Sequence, residues 1–193
     1  MTITEKIKEI TSLSQRFVKD QSAVATIEFA FIAPLLIATY LGCVEISRAY
    51  IIKNRIETIT ETVADLVAQG TAIDEAQLAD IFSISTSMLS EEEQGNFNII
   101  VTAVRTEPQG AGSQTTVQWS ESLTGNNTHA QDSVYDELPD GVAQNFETII
   151  VTELVYTHRA MLEFFIKGEK RFERRFLNKP RYSADIPCTD CNG

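Results

Sequence analysis

The chain has 193 residues, a length that fits one domain plus an anchor or at most two small domains. Its hydrophobic fraction of 43% and its charged fraction of 22% are normal for a folded protein and exclude a chain that is disordered throughout. The formal net charge of -11 argues against a nucleic-acid-binding protein, because contacts to phosphates need clustered Lys and Arg.

Residues 1–22 are polar and carry a single apolar stripe. Apolar residues recur there every three or four positions, as expected for one face of a helix: Ile3, Ile7, Ile10, Leu13 and Phe17. We interpret this segment as a cytoplasmic lead-in to the apolar stretch that follows.

Residues 23–44 form the longest apolar stretch of the chain, and Glu28 is their only charged residue. As a helix the stretch would be roughly 33 Å long, which matches the hydrocarbon core of a bilayer. A buried helix of a soluble protein is the alternative, but a stretch of this length without a polar face exceeds what a chain of this size can cover. The pattern therefore predicts a transmembrane helix.

Two kinds of signal sequence compete with this interpretation. A cleaved secretory signal does not fit, because the basic region is too long and no small-x-small site closes the apolar stretch. A lipoprotein signal does not fit either, because Tyr40 occupies a position where Leu is usual and the helical pattern continues past Cys43. We expect Cys43 to be a buried, unreactive thiol.

Glu28 and Pro34 are the unusual residues of this segment. A carboxylate at the centre of a bilayer costs about 2.5 to 3.5 kcal/mol, so an acid inside a membrane helix usually has a task. Near the start of the segment, Glu28 has the alternative of reaching the headgroups. Pro34 removes a backbone hydrogen bond in mid-helix, and we expect it to kink or loosen the helix there.

Flanking charges predict the orientation. Four basic residues precede the segment and three follow it closely: Lys6, Lys8, Arg16 and Lys19 before, and Arg48, Lys53 and Arg55 after. This small excess places the N-terminus in the cytoplasm and the C-terminal portion outside.

Residues 45–70 are predicted to continue the helix to about Gln69. Apolar residues recur at alternating spacings of four and three: Ile52, Ile56, Ile59, Val63 and Leu66. We expect this stripe to pack against the chain's own domain, with a coiled-coil seam as the alternative.

Residues 71–193 are predicted to form an extracytoplasmic α+β domain. A second helix is expected over residues 74–89, and strands are expected over residues 97–104 and 115–119, joined by a hairpin loop over residues 108–114. Residues 121–144 are polar and are predicted to be an exposed loop. Residues 148–156 are expected to form a central strand, and residues 171–176 a charged edge strand.

Residues 161–166 are too apolar for an ordinary loop, and Lys167 begins a basic cluster that runs to Arg175. Packing against the sheet is one explanation of the apolar segment. A contact with a partner or a membrane surface is the other.

Three cysteines exclude a disulfide-rich scaffold of the small secreted kind. Cys188 and Cys191 are close in sequence without a nearby His, which makes a zinc site a poor fit. We predict a local disulfide between them in an oxidising compartment, with free thiols as the alternative.

No motif of an enzyme is present in the sequence. A Gly-rich phosphate loop, a Gly-x-Ser-x-Gly motif, a His-Glu-x-x-His motif and a calcium loop are all missing. We therefore predict a non-enzymatic protein without cofactor or metal.

The run Ala23-Val-Ala-Thr-Ile-Glu28-Phe-Ala-Phe-Ile-Ala-Pro34-Leu-Leu resembles the N-terminal signature of TadE-like proteins, which work in tight-adherence pilus systems. Towards the other end of the chain, Val155-Tyr156 and the later Lys179-Pro180-Arg181-Tyr182 are similar to the closing segment of that family. The resemblance implies a pilin-like fold, in which a long membrane-spanning helix packs at its far end on a small antiparallel sheet.

The resemblance also implies a function and a set of site residues. A minor pseudopilin would be cleaved by a prepilin peptidase between Ala23 and Val24, where the family has Gly before the cleaved bond. Residues 1–22 would then be a cytoplasmic leader that guides the protein to its peptidase or assembly platform. Glu28, Phe29 and Pro34 would then act in assembly with other pseudopilins or pilin subunits at the bacterial inner membrane. The alternative is an uncleaved, membrane-anchored domain that binds a partner or ligand outside the cell membrane.

Overall fold

The computed structural model describes residues 21–110, 112–126, 129–139, 141–142, 144–158 and 168–191. Most of the predicted leader and the apolar segment 161–166 lie outside the described residues. The chain divides into two compact units, Met1–Ser47 and Arg48–Gly193.

Three helices precede the strands along the chain. Helix α1 spans Gln21–Ala68, α2 spans Glu75–Ser87, and α3 is a single turn over Glu91–Gln94. The predicted end of the long helix near Gln69 is confirmed, and so is the second helix. Asp74 caps α2, because its carboxylate accepts a hydrogen bond from the Gln77 amide at 2.7 Å.

Four antiparallel strands form one sheet in the order β2-β1-β3-β4. They are β1 (Phe97–Gln109), β2 (Gly112–Ser122), β3 (Thr148–His158) and β4 (Lys170–Asn178). The α+β class is therefore confirmed, as are the inner position of β3 and the edge position of β4.

The strands of the β1–β2 hairpin extend into residues that the sequence predicted to be a loop. Polar residues between Pro108 and Gln114 read as a loop, yet Gln109 pairs with Gly112 and the turn is tight. Gly110 has φ +62°, a value that suits a tight hairpin turn. The loop prediction was wrong here because backbone N–H and C=O groups make the hydrogen bonds between the strands. Polar residues supply these groups as well as apolar residues do.

One face of the sheet packs on the part of α1 that lies in the second unit. The buried stripe of α1 contains Ile52, Ile56, Ile59 and Val63, as the heptad pattern predicted. Leu66 is 37% exposed, and Val67 is buried instead. An ideal α-helix has 3.6 residues per turn, so a strict seven-residue repeat drifts off the buried face over two heptads.

The opposite face of the sheet is covered by the segment between β2 and β3. Tyr135 is 3% exposed and packs with Val104, Val117 and Ile149, while Leu138 and Val142 contact this cluster. The prediction of an exposed loop is wrong at Tyr135, whose single apolar ring gave no periodic signal.

The last described residues, 179–191, form a C-terminal strap across the second unit. The Arg181 amide donates to the Ala68 carbonyl at 2.9 Å, at the C-terminus of α1. The Trp119 indole donates to the Ile186 carbonyl at 2.7 Å, and the Ile73 amide donates to the Pro187 carbonyl at 3.0 Å. These bonds satisfy buried polar groups and hold the strap on the core.

Candidate membrane anchor and assembly helix

The N-terminal part of α1 presents an apolar surface on all sides. Of the described residues, only this helix is long and apolar enough to cross a membrane, and no part of its most apolar 18-residue window is buried. Large apolar side chains are exposed along it: Val24, Ile27, Phe29, Phe31, Ile32, Leu35, Leu36, Ile37 and Tyr40. A surface of this kind suits lipid or a neighbouring helix as its environment.

Two hydroxyl groups of this helix bond within the helix itself. The Thr39 hydroxyl donates to the Leu35 carbonyl at 2.8 Å, and the Ser47 hydroxyl donates to the Cys43 carbonyl at 2.8 Å. Such bonds to the preceding turn remove the cost of placing a hydroxyl in an apolar medium. The helix also continues through Pro34.

The residues singled out from the sequence lie along the first turns of α1. The bond between Ala23 and Val24 falls within the first turn, since α1 begins at Gln21. Val24 and Glu28 are four residues apart and therefore share one face of the helix. Val24, Glu28, Phe29 and Pro34 are all exposed. Cys43 is exposed as well, so the expectation of a buried thiol was wrong.

The family model of TadE-like proteins matches residues 23–65. This helix is TadE-like. The match begins at the predicted processing site and covers the apolar helix and most of its continuation, so the resemblance drawn from Glu28 and Pro34 is confirmed. Neither a curated protein nor a solved structure matches the chain.

The TadE-like helix and its apolar surface together fit a single-pass, membrane-anchored protein of the tight-adherence pilus type. The matched residues end before the sheet begins. The similarity of Lys179 to Tyr182 to the family's closing segment therefore stays a prediction.

A cluster of charged side chains lies on the sheet face opposite α1. Glu153 of β3 is 6% exposed, and its carboxylate accepts a hydrogen bond from the Arg175 guanidinium at 2.6 Å. Arg175 also pairs with Glu137, and a His129 ring nitrogen lies 3.3 Å from the Glu153 carboxylate. Each buried charge thus has an opposite charge or a hydrogen bond beside it.

Burial and charge shift the pKa values in this cluster. Burial raises the pKa of Tyr135, and the nearby charge of Glu153 adds to that effect. Burial alone would lower the pKa of Arg175, but its bond to Glu137 and the charge of Glu153 outweigh burial and raise that pKa. Both groups therefore keep one protonation state near neutral pH, as structural groups do.

The sequence pattern did not predict this cluster. The available signal was Glu153 itself, a carboxylate inside the most apolar predicted strand, which implies a cationic partner. The identity of Arg175 as that partner follows from the register of β3 and β4, in which the two residues are directly opposite. That register is a tertiary property.

Cys188 and Cys191 form a disulfide in the C-terminal strap, with their Cα atoms 5.5 Å apart. Both half-cystines pack against the main core, and Cys188 forms an isolated bridge with Ile73. The disulfide therefore lies where the strap meets the segment after α1.

No group of three or more His, Cys, Asp or Glu side chains in the described ranges is placed to hold a metal ion. A polar cavity of about 340 Å³ lies beside the tip of the β1–β2 hairpin and is lined in part by Thr106, Thr115 and Asp136. A second cavity of about 300 Å³ lies between α2 and the end of β2. Neither of them contains a nucleophile paired with a base.

Proposed function

We propose that this protein is a minor pseudopilin or assembly factor of a tight-adherence pilus, anchored in the bacterial inner membrane by α1. The observation that carries the proposal is the TadE-like match over residues 23–65, which coincides with the exposed apolar helix. The N-terminus is cytoplasmic and the sheet-bearing domain is extracytoplasmic, which agrees with the flanking charges and with a disulfide.

The proposal includes processing by a prepilin peptidase between Ala23 and Val24. The new N-terminal amine would then lie four residues from Glu28, or one turn of helix. An unpaired carboxylate is expensive in lipid, so Glu28 of one subunit would pair with the amine of the next and set the axial register of the helices.

N-terminal sequencing of the protein from its native membrane tests the processing step. A start at Val24 supports the pseudopilin. A start at Met1 or Thr2, with the domain outside the membrane, supports the uncleaved anchored domain, an alternative that Ala23 favours because the family has Gly there.

A second experiment tests the task of Glu28. Glu28→Gln keeps the size of the side chain but removes its charge, and we expect it to abolish incorporation into pili while the protein still enters the membrane. The matched control is Thr39→Val, which changes a polar residue of the same helix whose hydroxyl donates to the Leu35 carbonyl of that helix. Normal piliation with Glu28→Gln would refute the pairing.

A further inference from the structure

Basic side chains are concentrated on one edge of the sheet in a chain that is acidic overall. The formal net charge is -11, yet β4 contains Lys170, Arg171, Arg174 and Arg175 against a single acid, Glu173. Among the described strands, β4 has only β3 as a neighbour, so its other edge pairs with no described strand. A local excess of positive charge on an open edge can attract an acidic partner.

The four basic residues of β4 are not equally neutralised within the chain. Arg175 is paired with Glu137 and Glu153, and Arg171 has a weaker, exposed contact with Glu173 at 3.5 Å. Lys170 and Arg174 form no ion pair with any described residue. We call Lys170, Arg171 and Arg174 the basic edge.

An exposed side of α1 carries the opposite, negative charge. Glu57 and Glu61 are exposed, are one helical turn apart, and form no ion pair with a described residue. Two carboxylates at this spacing repel each other, so a cation between them would be stabilising. The next acid on this side, Asp65, is already paired with Arg181 of the strap.

Among the described residues, no ion pair joins the basic edge to these carboxylates within one chain. Glu61 lies roughly 140° from Ile56 around the helix, and Ile56 is on the face that packs against the sheet. Glu57 lies roughly 100° from Ile56, at the border of the buried face, where Ala64 and Ala68 are fully buried. An ion pair between the two sets of charges would therefore join two copies.

We propose that the basic edge of one copy docks on Glu57 and Glu61 of a second copy. The two surfaces are different parts of one domain, so the contact is head-to-tail and propagates from copy to copy. This inference rests on the proposed function, because exposed ion pairs are individually weak and need chains concentrated by a shared membrane. It adds to that function the side chains by which neighbouring extracytoplasmic domains recognise each other.

Photocross-linking of the full-length chain in phosphatidylcholine vesicles tests the proposal. A photoreactive benzoylphenylalanine replaces Glu173, and isotope-labelled and unlabelled chains are mixed so that mass spectrometry separates links between copies from links within one. We expect links between copies to the peptide that carries Glu57 and Glu61. The double substitution E57K/E61K should reduce their yield about tenfold, which corresponds to about 1.4 kcal/mol.

Two variants control for charge and for folding. D80K/D136K changes the net charge equally at exposed positions elsewhere, and we expect it to leave the cross-links unchanged. Combining E57K/E61K with K170E/R171E/R174E reverses both surfaces, and we expect it to restore the links. Recovery in this variant excludes misfolding as the cause of the loss.

Three outcomes would overturn the proposal: links that persist in E57K/E61K, links that the combined reversal does not restore, and lipid adducts that replace the protein links when phosphatidylglycerol is added. The last result would assign the basic edge to the membrane surface. None of these outcomes concerns processing or piliation, since the vesicles contain no peptidase and no pilus machinery.

Discussion

Glu153 shows how one residue constrains the fold around it. Its carboxylate lies in an inner strand and is almost completely removed from water, a state that is costly for an unpaired charge. Arg175 is opposite it on β4, and His129 approaches it from the covering segment. The cluster therefore joins the sheet edge to the segment that covers the sheet.

Removing the cation of this cluster should destabilise the domain strongly. We expect Arg175→Met to lower the free energy of unfolding by about 3 kcal/mol, because it leaves Glu153 buried without its partner. The double variant Glu153→Leu with Arg175→Met should regain most of the loss. Denaturant unfolding in detergent measures both, and Arg171→Met, on the same strand but exposed, is the control that should change little.

Glu93 makes stability depend on pH at acid values. Burial alone would raise its pKa, but hydrogen bonds from Ser90 and the charge of Arg55 lower that pKa below 4.5. A carboxylate whose pKa is lowered by folding contributes its stability above the unfolded pKa and loses it as pH falls through the folded pKa.

We expect Glu93→Gln to be less stable than the parent chain by about 1 kcal/mol at neutral pH, mainly through loss of the Arg55 pair. The difference should shrink as the pH falls below 4.5. Thermal unfolding over a pH series measures it. Glu91→Gln, exposed on the same turn, is the control, and an equal pH-dependent loss there would contradict the assignment.

At the scale of the element, α1 combines two parts whose side chains have different surroundings. Its N-terminal part exposes apolar side chains on every side, whereas from Ile52 onwards one stripe is buried against the sheet. A single run of helical backbone can do this because α-helical hydrogen bonds are internal to the segment in lipid and in water alike.

The two surfaces of α1 should respond differently to truncation. Ile56→Ala should cost about 2 to 5 kcal/mol of domain stability, because it opens a cavity in the core. Ile51→Ala removes the same atoms from a side chain that is 54% exposed, and we expect little change. Denaturant unfolding of the detergent-solubilised chain compares them, and equal losses would show that the stripe is assigned wrongly.

The C-terminal strap depends on its disulfide for part of its stability. Closing so short a loop is worth about 2 kcal/mol in the chain-entropy account. We expect Cys188→Ala with Cys191→Ala to lose about that amount, and Cys43→Ala, which removes the free thiol, to lose none. Alkylation followed by mass spectrometry, with and without reductant, should modify Cys188 and Cys191 only after reduction. Modification without reductant would disprove the bond in the native protein.

At the scale of the whole molecule, the chain divides into an apolar unit and a sheet-bearing unit that have different environments. The first has no core of its own among the described residues, and the second has a core on each side of its sheet. The first unit therefore suits an anchor, and the second has the cores of a folded domain.

The proposed orientation makes a direct prediction about protease access. Protease added to intact spheroplasts should digest the sheet-bearing unit and leave a membrane-protected fragment that contains the apolar helix. A cytoplasmic marker protein should remain intact in the same sample. Protection of the sheet-bearing unit until the membrane is permeabilised would reverse the orientation.

Local sequence was enough to determine the two longer helices and the class of the fold, but it did not predict the single turn of α3. The apolar run, the stripe from Ile52 to Val63 and the apolar strand around Ile150 each carry a signal that depends only on nearby residues. Glu28 and Pro34 could also be recognised from the sequence, because a charge and a proline are exceptional inside an apolar helix.

Tertiary structure decided the features that join distant segments. The pairing of Glu153 with Arg175, the burial of Tyr135 and the bond from Trp119 to the Ile186 carbonyl all depend on strand register and on the path of the covering segments. Sequence periodicity reports which face of an element is apolar, but it holds no information about which distant residue will lie opposite. The long helix could therefore be read from residues 23–70 alone, whereas the complementary charged surfaces of the domain became visible only once the sheet was placed against it.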